Sequence, residues 1–273
     1  MTQTPNPPLA LFTILATLLL AALPLRAEPP GFEGAIRPGW VMENGNRMAA
    51  LHLRLNPGWK TYWRAPGDSG IPPSFDWTGS RNLGAVRFHW PRPEVSDGAA
   101  GRTIGYSREL ILPMEVQPSR RGEPMHLQGE VELGVCKDIC IPASFRFSVT
   151  LPGPGQKDES INRALRQRPS TPREAGMRRI GCSLSPTAEG LRMEVLIDMP
   201  STGGPETVVV EPGGNGIWVS EAAVRREGKT LWASVDLIPT AGRAIALDRE
   251  SIIVTVLGRN RAVEIKGCPA PRS

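Results

Sequence analysis

The sequence GVCKDICIP, at residues 134–142, places Cys136 and Cys140 four positions apart at the end of a strand-like run. Pro142 closes this stretch, and an alternating run, SFRFSVTL at residues 144–151, follows it. A fully extended chain would hold the two cysteine Cα atoms about 13 Å apart, whereas a disulfide needs them within about 7 Å. If the two cysteines bond, the chain must therefore turn back on itself, with residues 137–139 as the loop.

A close cysteine pair in a tight turn is suited to exchange between the disulfide and dithiol states. Closing so small a ring restricts the unfolded chain little, so the pair would be a poor structural staple. Lys137 supplies positive charge that favours the thiolate of Cys136, although Asp138 offsets it. Spacing alone leaves a structural disulfide or two buried thiols as alternatives.

The same two thiolates would also suit Cu(I) or zinc. His52, His89, His126 or a methionine would have to complete the ligand shell, and none of these lies at ligand spacing from the cysteines. We therefore expect no metal site and no cofactor, and we expect each histidine to lie on a surface or a strand face.

Residues 1–27 are typical of a secretory signal. An apolar stretch from Leu9 to Leu25 precedes Ala27, a small residue at which the signal can be cleaved. No Lys or Arg precedes this stretch, and an uncleaved membrane anchor is the alternative, but the run is short for a span and Pro24 interrupts it. No later segment is apolar for long enough to cross a bilayer. We therefore expect a soluble, exported protein with no membrane insertion after cleavage, in a compartment where disulfides persist.

The four cysteines allow three disulfide pairings. Cys182 and Cys268 lie in similar settings near the two ends of the C-terminal half. We favour the pairs Cys136–Cys140 and Cys182–Cys268, because each then falls within one expected domain. The second pair would close a long loop and so stabilise the fold.

Alternating apolar residues predict an all-β fold. Leu51, Leu53 and Leu55 alternate with His52 and Arg54, which predicts a half-buried strand. Similar runs recur along both halves of the chain, and 29 glycines and 28 prolines supply turns between them. Short strands broken in this way are typical of β-sandwiches.

We expect two β domains after the signal, at residues 28–153 and 180–273. The segment between them, 154–179, is polar and charged and is predicted to be a linker, with room for one or two helical turns at residues 159–168.

Other functional classes lack support in the sequence. The formal net charge is only +5, and the basic residues occur as scattered pairs, so we expect no nucleic-acid site. The glycine-rich run PGGNG, at 212–216, lacks the Lys-Ser/Thr ending and the following helix of a phosphate loop. No Ser/His/Asp constellation can be argued from the sequence.

Three motifs together carry a resemblance to a known family. GVCKDICIP is preceded by GYSRELILP at 105–113 and by GWKTYW at 58–63. Residues 31–151 thereby resemble the N-terminal periplasmic domain of the DsbD thiol:disulfide interchange proteins, in particular the ScsB branch associated with suppression of copper sensitivity. The resemblance implies an immunoglobulin-like β-sandwich, followed in this branch by a second, smaller β domain.

The resemblance also implies a function and a site. Domains of this family relay electrons from a membrane-embedded reductase to periplasmic thioredoxin-like proteins, as a protein-disulfide reductase or exchange component. Cys136 and Cys140 would be the redox pair, and Cys140 would form the mixed disulfide with partners. The other expected residues of the site are its neighbours Lys137, Asp138, Pro142, Tyr62 and Asp97.

Asp97 enters this set through a shielding cap loop, whose counterpart would be residues 96–101. The sequence departs from the family pattern in that only three residues separate the cysteines and the cap has only small residues beyond Asp97. It also contains neither the membrane domain nor the thioredoxin module of the family, so separate proteins would have to provide and receive the electrons.

Two other functions are compatible with the sequence. A periplasmic copper-binding module for copper tolerance would use the same two thiolates. A purely structural, adhesion-like module would carry two inert disulfides. If the pair exchanges disulfides, thiolate chemistry predicts that Cys140 is accessible and Cys136 more buried.

Overall fold

The computed structural model describes residues 31–98, 101–214, 216–240 and 246–271. The predicted signal, 1–27, lies outside these ranges, as do Ala99 and Ala100 of the predicted cap. Within them the chain is almost entirely β, with one α-helix, so the expected all-β class is confirmed. No helix in the described ranges has the length and apolar character needed to cross a membrane.

The first half is an immunoglobulin-like β-sandwich of antiparallel strands. One sheet has the order β1-β2-β8-β5 and the other β10-β9-β3-β7-β6, with β4 added beside β9. The strand bounds are β1 (Phe32–Val41), β2 (Arg47–Leu55), β3 (Lys60–Gly67), β4 (Ser74–Asp76), β5 (Leu83–Phe88), β6 (Glu94–Gly98), β7 (Gly101–Ser107), β8 (Glu109–Pro118), β9 (Met125–Cys136) and β10 (Cys140–Leu151).

The second half is a smaller β-sandwich. Its sheets have the orders β11-β12-β16-β14, with β15 beside β16, and β13-β17-β18. The bounds are β11 (Arg179–Pro186), β12 (Leu191–Asp198), β13 (Thr207–Glu211), β14 (Ile217–Val219), β15 (Ala223–Glu227), β16 (Thr230–Pro239), β17 (Ile253–Leu257) and β18 (Ala262–Lys266).

Each sandwich encloses its own core, and the two cores meet. Leu112, Met114 and Leu127 are fully buried between the sheets of the first half. Burying a side chain of this size contributes about 1.5–3 kcal/mol. Leu257 and Ala262, from the second half, belong to the same apolar cluster. The two halves therefore share buried surface.

A disulfide joins Cys182 on β11 to Cys268, just beyond β18. The two cysteines are 86 positions apart, their Cα atoms lie 5.5 Å apart, and neither side chain is exposed. Closing a loop of this length stabilises a fold by about 4.5 kcal/mol in the chain-entropy account. The structure thus contains the long-range pair favoured from the sequence.

The segment expected to be a linker contains the helix α1 (Glu159–Arg166), which packs on the first sandwich. Ile161 is fully buried against Met48 and Ala50 of β2. This contact explains why the prediction of a half-buried β2 is wrong: α1 covers the face that bears His52, and nearly every residue of the strand is buried. The domain boundaries themselves remain a prediction.

Asp158 fixes the position of α1. Its carboxylate accepts hydrogen bonds from the backbone N–H groups of Ser160 and Ile161, as an N-cap does, and it pairs with Arg37 of β1 at 2.9 Å. Burial alone would raise the pKa of Asp158, but the hydrogen bonds from Ser160, Arg37 and Ile161 lower it overall. The ionised carboxylate therefore stabilises the folded state.

We expect Asp158→Ala to reduce the free energy of unfolding by about 1–2 kcal/mol, because it removes the helix cap and the tie to β1. Because the native pKa is lowered, the difference from wild type should be fully present above the unfolded pKa of about 4 and shrink as the pH falls through the native pKa. Denaturant unfolding at several pH values measures both effects.

Glu159→Ala is the matched control for that experiment. Glu159 is adjacent, acidic and exposed, and its ion pair with Arg166 lies at the surface, so its loss should change stability by less than about 0.5 kcal/mol. Equal effects of the two substitutions would contradict the capping role of Asp158.

Candidate redox site

The cysteine stretch forms a hairpin. Strand β9 ends at Cys136, β10 begins at Cys140, and the two residues lie directly opposite each other in the ladder. Their Cα atoms are 4.2 Å apart and their sulfurs are bonded. The N–H of Lys137 donates to the carbonyl of Ile139 at 3.3 Å within the loop. The turn and the disulfide pairing inferred from the sequence are both present.

The two cysteines differ in exposure. Cys136 is 8% exposed, at the end of a strand whose last residues are buried. Cys140 is exposed, as are the three loop residues before it, and Ile139 at the tip is 72% exposed. An incoming thiolate can therefore reach Cys140 more readily than Cys136, as the thiolate chemistry predicted.

Tyr62 bridges the two sulfurs. Its hydroxyl oxygen lies 2.7 Å from Cys136 Sγ and 2.9 Å from Cys140 Sγ. A disulfide sulfur carries no proton, so the tyrosine hydroxyl must be the donor, and its single hydrogen is shared between the two sulfurs. Burial raises the pKa of Tyr62, which keeps the phenol protonated and able to donate. The expected proximity of Tyr62 to the pair is thus observed.

The strand register brings Tyr62 to this point. Lys60 of β3 lies opposite Cys136 of β9, and Tyr62 follows two residues later on the same face. Gly134 precedes Cys136 by two residues on that face. A Cβ atom at Gly134 would lie 2.6 Å from Cβ of Ile71, closer than side chains tolerate, and 3.0 Å from Cδ2 of Tyr62, a tight contact. The glycine therefore leaves room for the tyrosine ring to cross β9.

The loop between β3 and β4 covers the other side of the ring. A Cβ at Gly70 would lie 2.8 Å from Cδ1 of Tyr62, and Ile71 approaches Gly134. Sequence reasoning did not identify Gly70, Ile71 or Gly134 as part of the site. The available signal was Gly134 itself, because a glycine inside a strand often marks a close approach by another group.

The remaining predicted neighbours lie at different distances from the pair. Lys137 lies beside the turn at Gly58, where a Cβ atom would be 3.5 Å from its Cε. Pro142 lies opposite Gly134 in the hairpin, and Asp138 is exposed in the loop.

Asp97 is not brought to the cysteines by any contact among the described residues. It is 74% exposed and pairs with Arg102 at 2.8 Å. Asp97 lies opposite Arg102 at the start of β7, whereas Lys60 and Cys136 are aligned with the other end of that strand. Its membership of a cap remains a prediction.

The histidines considered as metal ligands are engaged elsewhere. Among the described residues, no group of three or more His, Cys, Asp or Glu side chains is arranged to hold a metal ion. The histidine contacts are His52 with Glu109 and Arg37, His89 with Glu115, and His126 with Thr150 and Ser148.

This arrangement can support thiol–disulfide exchange. When the disulfide opens, the hydroxyl of Tyr62 is already placed to donate to the thiolate that forms. A hydrogen bond to a charged group contributes about 1.5–3 kcal/mol, more than one to a neutral group. Tyr62 should therefore lower the pKa of the reduced pair and make sulfur a better leaving group.

We expect Tyr62→Phe to raise the pKa of the Cys140 thiol in the reduced protein by about 1–2 units, because the thiolate loses this donor. The rate of alkylation by iodoacetamide as a function of pH gives the pKa directly. Tyr106→Phe is the control, since the Tyr106 hydroxyl donates to the Pro91 carbonyl at 2.8 Å and touches neither sulfur. A folded Tyr62→Phe protein with the wild-type alkylation profile would contradict the donor role.

Comparisons with known proteins agree with this geometry. Residues 33–152 match the family model described as "Thiol:disulfide interchange protein DsbD, N-terminal". The fold is similar to the crystal structure of the N-terminal periplasmic domain of ScsB from Proteus mirabilis, with 21% identity and a TM-score of 0.67 over 88% of this chain and 93% of that one. No curated protein matches the chain. Residues 33–152, which include Tyr62, Cys136 and Cys140, therefore form an N-terminal domain of the DsbD thiol:disulfide interchange family.

Proposed function

We propose that this chain is an exported, periplasmic thiol:disulfide interchange protein that relays electrons through Cys136 and Cys140. A membrane-embedded DsbD-like reductase would supply the electrons, and periplasmic proteins with a thioredoxin fold would receive them. The observation that carries the proposal is a disulfide at an exposed hairpin tip, with one sulfur more accessible than the other and a tyrosine donor on both.

We expect the fold to persist when this disulfide opens. Twelve residue pairs, from Cys136–Cys140 to Met125–Leu151, hold β9 and β10 together along their whole length. The disulfide lies at one end of this ladder, so reducing it leaves the backbone hydrogen bonds in place. A bond that can break without loss of the fold is suited to repeated exchange.

Reduction would proceed through a mixed disulfide. A thiolate of the donor attacks Cys140 Sγ, the Cys136–Cys140 bond breaks, and Cys136 leaves as a thiolate that accepts a hydrogen bond from Tyr62. A second donor thiolate then attacks the donor sulfur of the mixed disulfide and releases Cys140 as a thiolate. The donor ends as a disulfide, and this chain has gained two electrons as a thiol pair.

Delivery is the same chemistry in reverse. The Cys140 thiolate attacks the disulfide of an acceptor, which releases one acceptor thiolate and forms a mixed disulfide. The Cys136 thiolate then attacks Cys140 Sγ, restores the Cys136–Cys140 bond and releases the second acceptor thiolate. The acceptor leaves as a dithiol after protonation, and no cofactor takes part.

We expect the Cys136–Cys140 pair to titrate reversibly in the folded protein, at a potential of about −120 to −270 mV, the range of known exchange proteins. Equilibration in glutathione or dithiothreitol buffers, alkylation and mass spectrometry of the peptides measures this potential. Cys182–Cys268 is the internal control and should stay closed because it is fully buried. If Cys136–Cys140 is still oxidised well below about −300 mV, it is instead a structural bridge.

We expect Cys136→Ser to accumulate mixed disulfides with partner proteins through Cys140, since no resolving thiol remains. Cys140→Ser should trap none, because the remaining sulfur of Cys136 is buried. Non-reducing electrophoresis of the two variants from periplasmic extracts shows the difference. Trapping through Cys136 alone would reverse the assignment.

The same variants distinguish the copper-binding alternative. Stoichiometric Cu(I) binding by the reduced protein, lost in either cysteine variant, together with no exchange in the redox titration, would favour copper sequestration.

A further inference from the structure

A partly buried ion cluster joins the strand that bears Tyr62 to the second sandwich. Arg64 of β3 donates from Nε to Glu211 Oε1 at 2.9 Å and from Nη2 to Glu211 Oε2 at 2.9 Å. The same Nη2 donates to Glu264 Oε2 at 2.8 Å. The three side chains are 20%, 24% and 26% exposed, so solvent screens the cluster only in part.

The two carboxylates have a rigid support. Glu211 ends β13 and Glu264 lies on β18, and both strands pair with β17 in one sheet of the second half. Burial alone would lower the pKa of Arg64, but the hydrogen bonds and charges of Glu211 and Glu264 raise it overall, so the guanidinium stays charged. Without it, two half-buried carboxylates would face each other uncompensated.

Strand β3 needs an anchor at this point. Its pairing with β9 covers Lys60 and Thr61, and its pairing with β7 runs only to Tyr62 before it resumes at Gly67. Residues 63–66 therefore lack regular ladder pairing directly after the tyrosine that touches the disulfide. What holds this stretch is the packing of its side chains.

Two consecutive side chains supply that packing. Trp63 is fully buried in the core of the first sandwich, and the guanidinium of Arg64 lies over its ring, 4.4 Å from the centroid. Such a cation–π contact adds to the attraction of the ion pairs. Arg64 is thus fixed from one side by the core and from the other by the second sandwich.

We propose that Arg64 is a positioning residue: held by Glu211 and Glu264, it keeps β3 in the backbone position that sets the Tyr62 hydroxyl against the sulfurs of Cys136 and Cys140. This inference rests on the proposed exchange function and gives the second sandwich a part in it. The second sandwich adjusts the reactivity of the cysteine pair without touching either sulfur.

The test is Arg64→Met in the full chain, which removes the charge and keeps an unbranched side chain. In the reduced protein, we expect the pH midpoint of Cys140 alkylation by iodoacetamide to rise by less than it does in Tyr62→Phe. A rise of about half a unit would slow alkylation roughly threefold at neutral pH. Arg64→Lys, which keeps the charge, should raise the midpoint less than Arg64→Met does.

Arg92→Met is the matched control. Arg92 also connects the two halves, since its guanidinium donates to the Gly258 carbonyl at 3.2 Å, but it lies outside β3. It should leave the alkylation midpoint unchanged. An equal shift in both variants would mean that any loss of contact between the halves has this effect, which would overturn a specific role for Arg64.

A double-mutant cycle with Tyr62→Phe decides whether the effect passes through the tyrosine. Arg64→Met should cause little further shift in the Tyr62→Phe background. A full additional shift, or a wild-type midpoint in folded Arg64→Met protein, overturns the proposal. If Arg64→Met does not fold, the combined Glu211→Gln and Glu264→Gln protein gives the same readout from the other side of the cluster.

The outcome is separate from that of the exchange function. Thiol alkylation of the chemically reduced protein needs no partner and no natural electron donor. A protein that fails the redox titration but shows the coupled midpoint shift would refute the relay and retain the positioning role of Arg64. A protein that titrates as expected but shows no midpoint shift in Arg64→Met would retain the relay and refute the positioning role.

Discussion

The antiparallel ladder of β9 and β10 is the constraint on which the rest of the site depends. It sets Cys136 opposite Cys140 at the end of a twelve-pair hairpin, so the two sulfurs meet where the ladder ends. Strand β3 pairs with the last two residues of β9, and this second pairing determines which side chain of β3 reaches the sulfurs. Backbone hydrogen bonds, and not the disulfide, therefore hold Cys136 and Cys140 in alignment.

Local sequence was sufficient for the features that depend on near neighbours. The spacing of Cys136 and Cys140 requires a turn if they bond, and alternating apolar runs predict strands, so the hairpin and the all-β class followed. The approach of Tyr62 and Ile71 to Gly134 depends on how non-consecutive strands and a loop align, which no local pattern contains. The proximity of Tyr62 to the cysteines could be expected only from the family resemblance.

The burial of β2 also depends on a distant segment that no local pattern reveals. Its alternation of leucines with His52 and Arg54 indicated one buried face, yet a helix more than a hundred residues later covers the other. That helix is short, and only a few of its residues are apolar, so its sequence resembles a charged connecting segment. Asp158 caps it and also pairs with Arg37 of β1, and this second contact, made far away in the chain, determines where the helix lies.

The burial of the other disulfide has a consequence for a protein that generates thiolates. Cys182 and Cys268 have no exposed surface, and their carbonyls both accept from Arg249 within the second sandwich. A thiolate at Cys140 attacks any disulfide that it can reach, including one in its own chain or in a second copy. Only an opening of the second sandwich would present Cys182–Cys268 to such attack. Its burial thus protects the Cys182–Cys268 bond from attack by a thiolate of the proposed exchange site.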